Sequence, residues 1–213
     1  PRPRAGLLRV REFEMKDAYS FDINEEGLDI SYKKMIEAYN NIFQRCSTDV
    51  VIVDADSGAI GGKESNEFIM LAESGEDIVL LSEDKNYAAN SEKAVFLKQE
   101  YTLERNEKLE LIDTPNCKTI DDLRKFLSIE NNKILKTIIY KADDKLIGCV
   151  IRSDYSLNET KIRNHIKAAN LKIASDNEII KEGFIPGYIS PVNIKNISFL
   201  YDESVNLGPG NFI

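Results

Sequence analysis

One histidine, no tryptophan and three cysteines occur in 213 residues, and each scarcity removes a class of chemistry. With His165 as the sole imidazole, no His/Cys cluster at zinc spacing can be assembled, and a Ser-His-Asp or Cys-His arrangement is not expected, so no metal site is assigned. Cys46, Cys117 and Cys149 lie far apart. Such an odd, sparse set argues against a disulfide framework and for a reducing compartment, where all three are expected to be buried as small hydrophobes. Long apolar runs are also missing. Ile78 to Leu81 falls far short of the roughly 20 residues a membrane helix requires. The arginines near the start are not followed by an apolar stretch, which speaks against a signal peptide. A cytoplasmic location with no membrane partner is the expectation. Basic residues are outnumbered, 28 Lys and Arg against 36 Asp and Glu, for a net charge of −8. A broad polyanion-binding surface is therefore excluded, and any contact with a polyanion has to be local.

What is present suffices for a core. Apolar residues make up 42% of the chain, enough for one or two domains of ordinary size. Phe13 and Met15 alternate as in a strand with one buried face. From Tyr32, the positions Met35, Ile36, Tyr39, Ile42, Phe43 and Cys46 fall at three-and-four spacing and predict a helix of about four turns. Asp49 to Asp54 suits a buried strand, Ser57 to Lys63 a glycine-rich connector, and Phe68 to Leu71 and Asp77 to Leu81 two further strands. The polar stretch from Glu83 to Tyr101 reads as a helical junction. Thr119 and Asp122 form a capping box ahead of Leu123, Phe126 and Leu127, and Ser175 with Glu178 forms a second. Between them, Lys136 to Lys141 and Leu146 to Ile151 predict a hairpin turning at Asp143 and Asp144, and Asn158 to Ala168 predicts a helix. Ile197 to Tyr201 supplies another strand. Irregularly interleaved elements of this kind indicate an α+β fold with antiparallel or mixed sheets. The ends, Pro1 without methionine and the apolar pair Phe212 and Ile213, read as cuts inside a longer polypeptide.

Three blocks carry chemistry. The first is Arg2-Pro-Arg-Ala-Gly-Leu-Leu-Arg9 followed by Arg11-Glu-Phe-Glu-Met-Lys-Asp-Ala-Tyr-Ser-Phe21. Arginine offers a forked, charge-assisted partner for phosphate oxygens, and an aromatic four residues on offers a face for a purine. The second is Ser57-Gly-Ala-Ile-Gly-Gly-Lys-Glu-Ser-Asn-Glu-Phe68. Its glycines allow backbone amides to approach a ligand closely, although a tight turn would use them as well. The third runs from Asp113-Thr-Pro-Asn116 through Lys133 to Lys141 and Arg152 to Glu159 to Gly187-Tyr-Ile-Ser-Pro-Val192. Taken singly, a lysine at a strand start is a solvated side chain and a Gly/Pro pair a turn; together and in this order they form a pattern.

The first block resembles motif 2 of class II aminoacyl-tRNA synthetases in the form found in bacterial-type prolyl-tRNA synthetases, and the other two continue the resemblance across almost the whole chain. It implies a partial class II core over residues 1–100, with an antiparallel sheet and helices, followed by a mixed α/β editing insertion domain over 101–213. By the same resemblance Arg9 contacts ATP phosphate, Phe13 stacks on adenine, and Asn66 and Glu67 belong to the amino-acid pocket, where the position of Asn66 is often histidine. Lys136, the loop from Gly187 to Pro191, Thr114 and Asp202 are implied as the editing pocket. Lys136 and the bend are expected to meet in one small cavity. The family ligates proline to tRNA(Pro) with ATP and Mg2+, edits Ala-tRNA(Pro) without a cofactor at the acceptor end of the tRNA, and works as a homodimer. A cysteinyl-ester deacylase and a non-catalytic acceptor-end or partner-binding insertion remain as alternatives. Motif 1, the first half of motif 2, motif 3 and the anticodon-binding domain are absent from the sequence, so this chain alone is not expected to form prolyl-adenylate.

Overall fold

The computed structural model describes residues 2–4, 6–7, 9–58, 62, 64–104, 107–117, 119–192, 194 and 196–213. Most of the glycine-rich connector predicted over Ser57 to Lys63 lies outside the described residues. The chain divides into two compact units, one made of residues 1–51 and 68–74, the other of 52–67 and 75–213.

In the first unit, helix α1 spans Glu25–Arg45. Asn24 caps it by accepting from the Gly27 N–H at 2.9 Å, and Glu25 and Glu26 sit in the first turn, where the helix dipole favours negative charge. Capping chemistry therefore starts the helix two turns before the apolar stripe at Tyr32. That stripe packs Tyr39 and Phe43 against Phe68, with ring centroids 5.3 and 5.6 Å apart. The strand expected around Phe13 and Met15 does not form. Residues 13–22 carry no regular structure, and these two side chains are 66% and 76% exposed. Alternation specifies a strand only where a neighbouring strand completes the hydrogen-bond ladder, and among the described residues only the isolated Arg4–Arg9 bridge does so nearby.

Strands β1 (Val51–Asp54), β2 (Asn66–Ile69), β3 (Val79–Leu81) and β4 (Ala88–Asn90) form one sheet in the order β2-β1-β4-β3. β4 pairs with β1 in parallel and with β3 antiparallel. The stretch from Glu83 to Tyr101 is thus a strand and extended chain, not a helix. Buried Ala89 and Ala94 supply its core contacts, and periodicity over polar residues missed them. β2 also begins two residues earlier than predicted, at Asn66.

The second sheet positions the candidate site. Helix α2 (Ile120–Leu127), with the expected Thr119/Asp122 capping box, and a 3-10 turn at Asn131–Lys133 lead into β5 (Leu135–Ala142). β5 turns at Asp143, φ 50°, into β6 (Lys145–Arg152). Then come α3 (Glu159–Ile166), β7 (Leu171–Ile173), α4 (Asp176–Lys181), β8 (Ser198–Tyr201) and α5 (Glu203–Asn206). The sheet order is β7-β5-β6-β8, with β8 parallel to β6 and the remaining pairs antiparallel. Helices with mixed sheets make the chain α+β. α4 covers one face, where Ile139, Ala174 and Ile179 form a core joined by Phe184 and Ile189. α3 covers the other, where Glu159 meets the Tyr140 hydroxyl. Gly148 has a packing reason: the Phe199 ring lies so close that any Cβ at 148 would collide with it. Cys149 is buried as expected, but Cys117 is half-buried and Cys46 is exposed, because it is the C-cap of α1 and lies past its last helical residue, Arg45. Among the described residues, no helix is long and apolar enough to cross a membrane.

Candidate functional site

The register of the second sheet decides which side chains share a face. Lys136 in β5 stands opposite Ile151 in β6, and Val150 of β6 stands beside Tyr201 of β8. Carried forward one residue, the second register sets Asp202 beside Ile151. Residues directly opposite in neighbouring strands project from the same face, so Lys136, Ile151 and Asp202 form one row. Two strand spacings separate its ends, about 10 Å. Along this face the floor is dry: Tyr140, Cys149 and Ile151 are buried. Burial, assisted by the Glu159 carboxylate, pushes the Tyr140 hydroxyl up to about 12, and burial pushes the Cys149 thiol up to about 11.

The polar ends of the row are engaged differently. Lys136 donates to the backbone carbonyl of Ser153 at 3.3 Å, a neutral partner. Asp202 accepts from Lys98 through both carboxylate oxygens, at 2.6 and 2.5 Å, and caps α5 by accepting from the Ser204 N–H at 2.9 Å. Burial raises the Asp202 carboxyl, but the hydrogen bonds from Lys98 and Ser204 outweigh it and leave the group below its ordinary value. Nearby, Arg152, 0% exposed, forks onto Asp154 at 2.7 Å twice and lies 4.7 and 4.9 Å from the ring centroids of Tyr101 and Tyr155. The Asp154 hydrogen bonds raise its already high basicity. Lys98, Tyr101 and the role of Arg152 escaped sequence reasoning. A lysine in a polar stretch carries no signal until the fold sets it against Asp202.

The bend from Gly187 to Pro191 lies elsewhere. Gly187 is exposed and adopts φ 82°, a conformation glycine takes without strain. Ile189 within the bend packs on the Ile139 and Ala174 core. Since Ile139 is an odd step along β5 from Lys136, the bend is anchored on the opposite face of the strand. The expected meeting of Lys136 with the bend is therefore not made here, because the pleat sends them to opposite sides. Thr114 is half-buried, and its carbonyl accepts from the Cys117 N–H at 3.3 Å in the turn before α2. No hydrogen bond among the described residues joins it to Lys136 or Asp202.

In the first block, Arg9 and Phe13 do come together. With Leu7 and Val10 they line an open hollow of about 310 Å³. Asn66 donates to Asp54 at 2.9 Å across the start of β2, which ties its amide to the sheet, and Glu67 beside it is exposed. Among the described residues no group of His, Cys, Asp and Glu could hold a metal ion.

Two comparisons bear on this arrangement. Residues 114–212 match the aminoacyl-tRNA editing domain. A protein named proline–tRNA ligase from Dehalococcoides mccartyi is 48% identical over 213 residues, all of this chain and 37% of that protein. Its namesake in Bacillus subtilis is 44% identical over 207 residues, 96% of this chain and 37% of the relative. The chain belongs to the prolyl-tRNA synthetase family and includes its editing domain. It spans little more than a third of the length of these synthetases. Thr114, Lys136, Gly187, Pro191 and Asp202 all fall inside the editing segment, whereas Lys98, which grips Asp202, falls outside it.

Proposed function

We propose that residues 114–212 hydrolyse alanine from mischarged tRNA(Pro), within an enzyme that joins proline to the same tRNA using ATP and Mg2+ as a cytoplasmic homodimer. A proline pocket cannot sterically exclude the smaller alanine. The lost apolar contacts give only about 1–3 kcal/mol of discrimination, so a second, hydrolytic site is needed. The observation that carries the reading is the row of Lys136 and Asp202 on one face, with a buried apolar floor between them.

In the proposed reaction a water oxygen adds to the ester carbonyl carbon, the bond from that carbon to the ribose oxygen breaks, and the proton passes to the ribose oxygen. Free alanine and uncharged tRNA leave. The neighbouring hydroxyl of the terminal ribose assists the water, and the protein positions the ester. Lys136, a compact cation whose partner among the described residues is the neutral Ser153 carbonyl, engages the terminal phosphate or ribose. Thr114, Gly187 and Pro191 contribute through the family segment they share; contact of the bend with the ester requires it to swing from its Ile189 anchor as RNA binds. In the parent enzyme, Arg9 takes the ATP phosphate, Phe13 the adenine, and Asn66 with Glu67 borders the amino-acid pocket.

The test incubates the full chain with alanyl-, cysteinyl- and prolyl-tRNA(Pro), alongside Lys136→Ala. Loss of the alanyl ester alone, slowed on the order of 10²-fold by the substitution, is expected. Three stable esters defeat the proposal in favour of an acceptor-end binding module, and preferential loss of the cysteinyl ester makes the chain a cysteinyl deacylase.

A further inference from the structure

We propose that Lys98, outside the editing segment, is a positioning residue of the editing site: by holding Asp202 it leaves the positive charge of Lys136 without a carboxylate partner. The inference rests on the function proposed above.

Among the described residues the row holds one carboxylate, Asp202, gripped by Lys98 at one end, and one lysine, Lys136, at the other. Lys98 takes both oxygens of Asp202, while Lys136 is left with the Ser153 carbonyl. The Lys98 and Asp202 side chains are only 16% and 24% exposed, so each charge needs a partner more than a surface pair does. Without Lys98, the partly buried carboxylate would either protonate or reach along the row for Lys136. Either outcome changes the charge presented to the RNA end.

Lys98 is also held in place. The extended segment around it is fastened at Ser91, whose carbonyl accepts from Asn158 at 3.0 Å, and at Ala94, whose carbonyl accepts from Lys161. Downstream, the Tyr101 N–H donates to Leu207 at 2.8 Å and the Glu104 N–H to Pro209 at 2.9 Å. Between these points the Tyr155 hydroxyl accepts from the Gln99 N–H at 3.2 Å, and the Tyr155 ring backs the Lys98 ammonium at 5.8 Å. A lysine whose only task was stapling would contribute little through its charge and could pair anywhere along this segment. This one is fixed on the carboxylate that shares a row with Lys136. The groups that face Asp202 among the described residues are Lys98 from the segment and the Ser204 N–H from α5; Arg152 of β6 has its charge committed to Asp154, and Lys136 stands two strands away in the same row.

The experiment compares the full chain with Lys98→Met, Lys98→Arg, Asp202→Asn and the pair Lys98→Met with Asp202→Asn. Hydrolysis of alanyl-tRNA(Pro) is followed from pH 5 to 8, and the Asp202 carboxyl is titrated by carbon NMR. For Lys98→Met we expect kcat to fall about 10²-fold at similar KM where Asp202 is ionised, to recover toward acid as Asp202 takes up a proton, and the Asp202 titration to move to higher pH. Arginine, which can fork onto the same carboxylate, should restore most of the rate. The double variant removes both charges, so it stays folded if the single one does not, and it should be no slower than Asp202→Asn alone. An unmoved Asp202 titration in Lys98→Met, or losses that multiply in the double variant, would overturn the inference. A wild-type chain that hydrolyses no ester sinks the proposed function instead, and the NMR titration then still decides the role of Lys98.

Discussion

Asn164 of α3 donates a 2.6 Å hydrogen bond to Asp56, in the loop after β1. The same carboxylate, 9% exposed, takes the Gly58 N–H at 3.0 Å and faces Arg163 at 3.4 Å. It anchors the base of the glycine-rich loop to the helix that covers the Lys136 face of the second sheet. Asp56→Ala strands these donors, and hydrogen bonds to a charged acceptor are worth about 1.5–3 kcal/mol. Urea denaturation should show a loss in that range with an unchanged slope, and amide exchange at Gly58 should quicken.

Gly148→Ala should destabilise by about 1–3 kcal/mol through overpacking against Phe199. Pairing it with Phe199→Leu should recover part of that loss. A double-mutant cycle from thermal melts checks the coupling.

Acid should weaken the second sheet through one pair. Glu178 is held at about 2 instead of 4.5, chiefly by the hydrogen bond from Lys141 and then by the Ser175 N–H and hydroxyl. Because the folded value lies below the unfolded one, the stabilisation is complete above about pH 4.5 and is lost as pH falls toward 2. Glu178→Gln should flatten the stability curve in that window and leave its slope above pH 6 unchanged.

The thiols should react in order of exposure. Cys46 is exposed and Cys149 is buried with its thiol pushed up to about 11. At pH 8 an aromatic disulfide reagent should label Cys46 within seconds and Cys149 only at the rate of unfolding.

Local chemistry made part of this fold readable. The Thr119/Asp122 and Ser175/Glu178 boxes and the turn at Asp143 each depend on residues a few positions apart, and each stands where the sequence puts it. Phe13 and Met15 misled because alternation describes a strand's faces without providing its neighbour. β4, β7 and α5 are three or four residues long, too short for a period to declare itself. The site was legible as a set of residues and illegible as an arrangement. Lys136 and Asp202 share a face only through the parallel pairing of β6 with β8, and the bend lies behind the sheet because Ile189 found the Ile139 core.

The parallel arrival of β8 also sets an order of events during folding. β5 and β6 close through a tight turn and can pair early, whereas β8 must cross a long intervening stretch of chain before it docks. The lysine is thus in place well before its aspartate. A nascent or partly denatured chain keeps the hairpin yet cannot assemble the row, so the proposed hydrolysis would report on completion of the fold.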